Sequence, residues 1–355
     1  MKEQYKLGIV GFGGMAGHHY TQLSKGNTKV KIKGVYDIKP ERMEDAASKG
    51  LYTYESLDEM LQDSEIDIVL CACYNNYHKE VVIRALEAGK HVLCEKPATL
   101  SSKDMVEMME TAKRCGKVFT IDHNRRVNKD FVAMRRAVES GVIGKPYVIE
   151  TRVEGSRGLP EGWRDTKALG GGMMYDWGVH LIDQMLYMFD EKVTNIFCKM
   201  YKVKYDEVDD AFHLVLTFES GLTCYIEVAT NNFISHPRWY VLGEEGTLQI
   251  DDWACNGKIV KCLERENHWS NDIKPIKAGP TKTMAPRDPS TVEVIPISAP
   301  DDVIDNLDPV YFQLVDAMEG KAELTIKPEE ALRVIKVMEA AFLSAETGEA
   351  IKTNI

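Results

Sequence analysis

A short apolar strand, Tyr5 to Val10, runs straight into Gly11-Phe12-Gly13-Gly14-Met15-Ala16-Gly17 and then into a helix-like stretch from Met15 to about Lys25. This order of strand, glycine turn and helix constrains the fold more than any other feature of the chain. Gly11, Gly13 and Ala16 fit the G-x-G-x-x-G/A pattern in the context it requires. The first glycine permits a tight turn, the second lets backbone approach a pyrophosphate, and the small third residue allows close helix–strand packing. Unpaired N–H groups at the helix N-terminus complete an anion site. A second strand, Val30 to Tyr36, ends at Asp37, 21 positions beyond Ala16. An acid about 20 residues past such a turn bonds the ribose 2′-hydroxyl of a dinucleotide and repels a 2′-phosphate. The pattern therefore predicts NAD rather than NADP as cofactor, with Arg42 as the residue that keeps NADP open.

The first third continues as alternating helix and strand. A helical segment runs from Pro40 to about Lys49, and Ile66 to Cys73 is a continuous apolar run suited to a buried parallel strand. Helix Lys79 to Ala88 stops at Gly89, strand His91 to Cys94 follows, helix Lys103 to Arg114 closes at Gly116, and Val118 to Asp122 is again a strand. Repeated units of this kind predict a doubly wound parallel sheet, a Rossmann domain, over residues 1–124. Beyond Asn124 the pattern changes. A helix from Asp130 to Glu139 precedes long strands at Tyr147 to Glu154, Asn195 to Val203, Ala211 to Phe218 and Leu222 to Ala229. Glu219-Ser220-Gly221 and Gly243-Glu244-Glu245-Gly246 read as hairpin turns. Residues 125–355 are thus expected to form an α+β domain with a large open, mostly antiparallel sheet. Within it, the proline-rich stretch 271–300 reads as an irregular excursion. The amphipathic helix 328–345 is expected to pack back toward the first domain.

Composition narrows the class of function. At 355 residues the chain is long enough for two cores, and 44% hydrophobic with 28% charged residues is ordinary for a soluble protein. A formal net charge of -11 opposes a footprint for nucleic acid or an anionic membrane surface. No run reaches the roughly 18 apolar residues of a membrane span, and the N-terminus lacks a secretory pattern. The eight cysteines include no C-x-x-C pair, and several sit in apolar runs, which predicts reduced buried thiols and a cytoplasmic setting. Cys71-Ala72-Cys73 is poorly spaced for structural zinc, and no metal is assigned.

Two further constellations carry chemistry. Glu95-Lys96-Pro97 closes a strand at the carboxyl edge of the predicted sheet, where ligands bind, and Pro97 makes the Lys96–Pro97 bond a candidate cis peptide. The second is Gly170-Gly171-Gly172 followed by a predicted helix, Met173 to Phe189. Asp176, His180 and Asp183 fall at i, i+4 and i+7 on one face of it. Three titratable groups on an otherwise apolar helix point to a site. Asp-x-x-x-His-x-x-Asp could also hold a metal, or His180 could be a core histidine bonded to a carboxylate.

Taken together, these motifs resemble the Gfo/Idh/MocA oxidoreductase family, and the likeness spans essentially the whole chain. Asn75 and His78 after the third strand, Asn124-Arg125-Arg126 at the domain junction, Trp163-Arg164 before the triple glycine and the closing helix add to it. Cys73-Tyr74 departs from the family's common Thr-Pro. The resemblance implies that Lys96 and His180 flank a reacting carbinol, with Asp176 orienting the substrate or the imidazole. It places the cofactor against Gly11, Phe12, Gly13, Gly14, Met15, Asp37, Cys73, Asn75, His78, Glu95, Lys96, Asn124, Trp163 and Arg164. His180 is expected to be the general base and Lys96 the stabiliser of developing oxyanion charge. Trp163, Trp177 and Trp239 are candidates to stack on a sugar face, and His236, Pro237 and Arg238 to sit at the rim. The implied activity is hydride transfer from a ring carbinol, C3 of a sugar or glycoside, to NAD. Three alternatives stay open: an inositol dehydrogenase, an NAD-dependent glycosidase acting by transient C3 oxidation and elimination, and a non-catalytic NAD-binding regulator. The open sheet face predicts a homo-oligomer.

Overall fold

The computed structural model describes all residues except 1, 161, 265–272, 274, 278, 282–286 and 305. In chain order, β1 (Tyr5–Val10), α1 (Gly14–Leu23), β2 (Val30–Tyr36), α2 (Pro40–Ser48), β3 (Tyr52–Thr53), α3 (Leu57–Gln62), β4 (Ile68–Cys71), α4 (His78–Glu87), β5 (His91–Cys94), α5 (Ser102–Cys115) and β6 (Phe119–Ile121) build the first unit. Its six strands are all parallel, in the order β3-β2-β1-β4-β5-β6. This is the Rossmann order, and the strand sequence reverses between β1 and β4, where a crevice opens beyond the strand ends. Local signals set the helix boundaries. The Ser101 side chain accepts from the Asp104 N–H to start α5, and Gly116, at φ 63°, ends it.

The remaining elements are α6 (Lys129–Glu139), β7 (Pro146–Glu154), a π-turn at Met174–Gly178 running into α7 (Val179–Met188), β8 (Val193–Tyr201), β9 (Ala211–Phe218), β10 (Thr223–Ala229), β11 (Trp239–Gly243), β12 (Gly246–Ile250), β13 (Gly257–Cys262), β14 (Val292–Ile297), α8 (Asp308–Met318), α9 (Pro328–Thr347) and β15 (Ile351–Lys352). The strands form one nine-stranded sheet, β14-β13-β12-β11-β7-β10-β9-β8-β15. It is antiparallel throughout except for the β7–β10 pair. Phe212, Leu214, Leu216 and Phe218 of β9 alternate inward with Cys224, Ile226 and Val228 of β10, and α7 and α9 cover that face. On the other face Phe197, Tyr201 and Tyr225 are exposed.

Three expectations need correction. The stretch 271–300 is not wholly irregular, because residues 292–297 pair with β13 as an edge strand. An edge tolerates Pro296 because that strand need not donate along its whole length. Part of the stretch lies outside the described residues. The predicted helix from Met173 begins instead with the wider π-turn. Helix α8, which has no counterpart in the sequence reading, returns to the first unit. Its Val310, Tyr311, Leu314 and Val315 are buried with Leu7, Ile9, Ile68, Leu70 and Leu93 of the parallel sheet. The anticipated return of the last helix is also present: α9 packs against α5 and β6 as well as against α7 and β8.

A buried guanidinium ties α7 to α9. Arg126 Nε and Nη2 donate to the Asp183 carboxylate at 2.8 and 2.6 Å, and Nη1 donates to Glu330 Oε2 at 2.8 Å. Asp183 therefore serves the fold rather than a site shared with His180. Arg126→Ala is expected to destabilise the protein by about 3–5 kcal/mol in urea unfolding, because it strands a buried carboxylate. Arg126→Lys should recover only part of this, having lost the two-pronged geometry.

Candidate active site

A cleft of about 590 Å³ opens beyond the carboxyl ends of the parallel strands. Gly11, Gly13, Gly14 and Met15 form one wall, with Asp37, Lys39 and Arg42 at one end and Lys96, Trp163, Arg164 and Asp176 at the other. Gly11 sits at φ +87°, and a Cβ there would lie 2.7 Å from the backbone of Cys73, so only glycine lets β1 and the β4 loop approach. At Gly13 and Gly14 an added Cβ meets nothing within 4 Å, so this backbone borders open space. A bare peptide edge at a helix N-terminus, facing a cleft, fits a dinucleotide pyrophosphate. At the cleft's far end the Asp37 carboxylate is fixed by the Phe12 N–H at 2.6 Å and the Lys39 N–H at 2.8 Å.

The other end is organised by Asp176, on the π-turn. Lys96 Nζ donates to the Asp176 backbone carbonyl at 2.8 Å and to its Oδ1 at 3.0 Å, while Arg164 Nε donates to Oδ2 at 3.1 Å. Burial pushes this carboxyl pKa up, but Lys96 and Arg164 outweigh it and hold the group below the usual carboxylate range. The Lys96–Pro97 peptide is cis. His180 is buried on the first turn of α7, and its Nδ1 has no hydrogen-bond partner among the described residues. Burial, then the charges of Lys96, Arg125 and His123, drive its pKa well below 6.5, so the imidazole is neutral near pH 7.

The triple glycine positions this end by steric necessity. A Cβ on Gly171 would lie 2.4 Å from the Arg164 carbonyl, and one on Gly172 would lie 2.3 Å from Asp209 Oδ1. Asp209 in turn accepts from the Met174 N–H at 2.7 Å, capping the turn that carries Asp176. Asn75 donates to the Gly170 carbonyl at 2.9 Å, which joins the β4 loop to the glycines.

The anticipated residues divide accordingly. Gly11, Gly13, Gly14, Met15, Asp37, Cys73, Asn75, Glu95, Lys96, Trp163, Arg164 and Asp176 line one cleft. Phe12 contributes its backbone N–H, but its ring is buried in the core, so a side-chain role toward the cofactor is not supported. His78 is buried with its ring nitrogens against the carbonyls of Pro97 and Cys73, and it holds the β5 and β4 loops together instead of lining the cleft. Asn124 also lies off the lining and bonds Asp122 at 3.2 Å. Trp239 is fully buried and donates to Asp130, so it is core and not a stacking platform. Arg238 is buried beside the same acid, whereas His236 is exposed and pairs with Glu154. Tyr74, singled out in the sequence only as part of a departure from the family, also lines the cleft, with its ring 6.0 Å from that of Trp163. Sequence reading missed Trp253, 5.6 Å from Trp177, which itself lies 5.9 Å from His180. No local pattern marks a tryptophan from a distant hairpin as a neighbour of α7.

Residues 5–123 match a family profile described as an oxidoreductase family with an NAD-binding Rossmann fold, and residues 131–249 match the GFO/IDH/MocA C-terminal domain. The chain belongs to the Gfo/Idh/MocA oxidoreductase family. It is similar to an NAD-binding protein from Listeria innocua, with 41% identity, a TM-score of 0.88, and 99% of this chain and 97% of that one covered. It is 28% identical to an inositol 2-dehydrogenase/D-chiro-inositol 3-dehydrogenase of Lactiplantibacillus plantarum, over 69% of this chain and 71% of that protein. A myo-inositol 2-dehydrogenase of Thermotoga maritima is also 28% identical, over 70% of this chain and 75% of its own. The Gfo/Idh/MocA chain described here is thus an oxidoreductase on an NAD-binding fold, and no helix among its described residues is long and apolar enough to cross a membrane.

Its glycine-dependent site makes a direct prediction. Gly172→Ala forces a Cβ into Asp209 at a φ of +104°. It should cost about 2–4 kcal/mol in thermal unfolding. Gly14→Ala, which meets no protein atom, should leave stability within about 1 kcal/mol and weaken dinucleotide binding measured by calorimetry.

Proposed function

We propose that this protein is an NAD-dependent dehydrogenase that oxidises a ring carbinol, C3 of a sugar or glycoside, with Lys96, His180 and Asp176 as its catalytic set. The observation that carries the reading is the Lys96–Asp176 pair at the closed end of the cleft, with a neutral His180 on the first turn of the following helix. A dinucleotide bound along the glycine turn supplies the hydride-accepting ring carbon. His180, held neutral by its surroundings, takes the hydroxyl proton. The Lys96 ammonium, aimed by both oxygens it bonds on Asp176, has an N–H left for the substrate oxygen and offsets its developing negative charge. Arg164 shares the Asp176 carboxylate and fixes its orientation.

Asp37 supports NAD over NADP. Its carboxylate is anchored by two backbone N–H groups where a ribose 2′-substituent falls, and Lys39 and Arg42 flank it. The names of the two relatives favour a second reading, an inositol ring as substrate. A screen of free sugars, inositols and aryl glycosides with NAD and NADP, read by NADH absorbance and by product mass, separates these. NADH formed with a glycoside supports the reading, aglycone release without net NADH replaces it with the glycosidase, and turnover of inositol alone replaces the substrate. Silence with every compound leaves a regulator. The eight free thiols fit a cytoplasmic setting, and the exposed Phe197, Tyr201 and Tyr225 fit a homo-oligomer through the outer face of the second sheet.

His180→Ala is expected to slow single-turnover hydride transfer by about 10²–10⁴-fold. Because the His180 pKa is lowered, the base form persists as pH falls, and the acid limb of kcat/KM should lie below 6.5. Asp37→Ser should shift the NADP-to-NAD ratio of kcat/KM upward by roughly 100-fold, measured by varying each cofactor at saturating substrate.

A further inference from the structure

Beneath Lys96 lies a group of buried polar side chains that the mechanism does not use. His19 of α1, Glu95 at the end of β5, Asp122 just beyond β6 and Tyr311 of α8 are 0%, 5%, 0% and 0% exposed. His19 Nδ1 meets the Tyr311 hydroxyl at 2.7 Å, while Nε2 lies 2.9 Å from Glu95 Oε1 and 3.3 Å from Asp122 Oδ2. Both ring nitrogens thus face protein oxygens. The other Glu95 oxygen lies 3.3 Å from the Lys96 backbone N–H.

Glu95 and Lys96 are sequence neighbours that share the cleft lining, yet the Lys96 ammonium bonds Asp176 and not Glu95. We propose that His19 is a positioning residue: it holds the Glu95 carboxylate down in the core and so leaves the Lys96 ammonium to Asp176 and the substrate. The inference rests on the role given to Lys96 under Proposed function. Without a cation behind it, a buried carboxylate seeks the nearest one, and that cation is Lys96. His19 is suited to the task. Burial lowers its pKa, but Asp122 and Glu95 outweigh burial and raise it to about 9, so it stays an imidazolium at neutral pH. Burial would raise the Glu95 pKa, but His19 and then Lys96 pull it down, whereas burial and the Glu95 charge push Asp122 up. Geometry and these directions agree in setting a charged His19 against the Glu95 carboxylate.

The test is a double-mutant cycle of His19→Ala and Glu95→Gln, read in kcat, KM and urea unfolding, with a ¹⁵N NMR titration of His19 in the wild type. His19→Ala should lower kcat by roughly 10–100-fold with little change in substrate KM. Adding Glu95→Gln should restore several-fold of the loss and much of the stability, since the stray carboxylate is then gone. The imidazole should carry protons on both nitrogens and titrate near 9. Its folded pKa is raised, so its share of stability is complete below 6.5 and is lost as pH rises through 9; His19→Gln should lack that alkaline loss. A double mutant no better than His19→Ala, or a His19 titrating at or below 6.5, overturns the proposal. The titration and the unfolding cycle need no substrate, so they stand even if no carbinol is turned over, and that failure would fall on the functional reading alone. If His19→Ala does not fold, His19→Gln takes its place in the cycle.

Discussion

The contact between Lys96 and Asp176 crosses from the carboxyl end of β5 to the π-turn that leads into α7, the helix that covers the other sheet. Everything at the closed end of the cleft takes its position from it. Asp176 can serve Lys96 with a carbonyl and a carboxylate oxygen because a π-turn carries it, and that turn needs Asp209 at its start and glycines too bare to displace Asp209. Arg164 occupies the remaining carboxylate oxygen and prevents the pair from becoming a simple surface ion pair. Two other buried charges are paired in the same way, Arg126 with Asp183 and His19 with Glu95. Low-dielectric surroundings make a lone charge costly and a satisfied pair specific in geometry.

Electrostatics also separates the two histidines nearest the chemistry. His19 is flanked by two carboxylates and is held charged, whereas His180 is flanked by Lys96, Arg125 and His123 and is held neutral. Both are buried, so burial alone would have pushed both the same way. Their neighbours decide the sign. One histidine is thereby fitted to hold an anion in place and the other to accept a proton.

Much of this was legible in the sequence because it was written locally. The parallel sheet followed from apolar runs bounded by glycines, and the cofactor turn from Gly11, Gly13, Ala16 and Asp37, whose physical roles depend on spacing of a few residues. Lys96 and Asp176 could be named from motifs, although their 3.0 Å contact spans 80 positions. What escaped was non-local. Trp239 and Trp177 look alike in a strand-and-helix reading, and only the partner of each, Asp130 for one and Trp253 for the other, tells them apart. Phe12 and His78 sit inside motifs that do bind, yet their side chains are spent on packing and loop closure. His19 was hidden because each of its three partners comes from a different segment, one of them nearly 300 positions away. The edge strand at 292–297 was masked by a proline that an interior strand would have refused.

Helix α8 has a consequence for how the chain comes off the ribosome. The parallel sheet is complete by Ile121, but the face bearing Leu7, Ile9 and Leu93 gains Tyr311, Leu314 and Val315 only after some 190 further residues have been made. At ordinary synthesis rates that interval is roughly 10–40 s. For that time the nascent first unit carries an aliphatic strip that its own later helix has yet to cover. Maturation of the first third is thus timed by the arrival of the last.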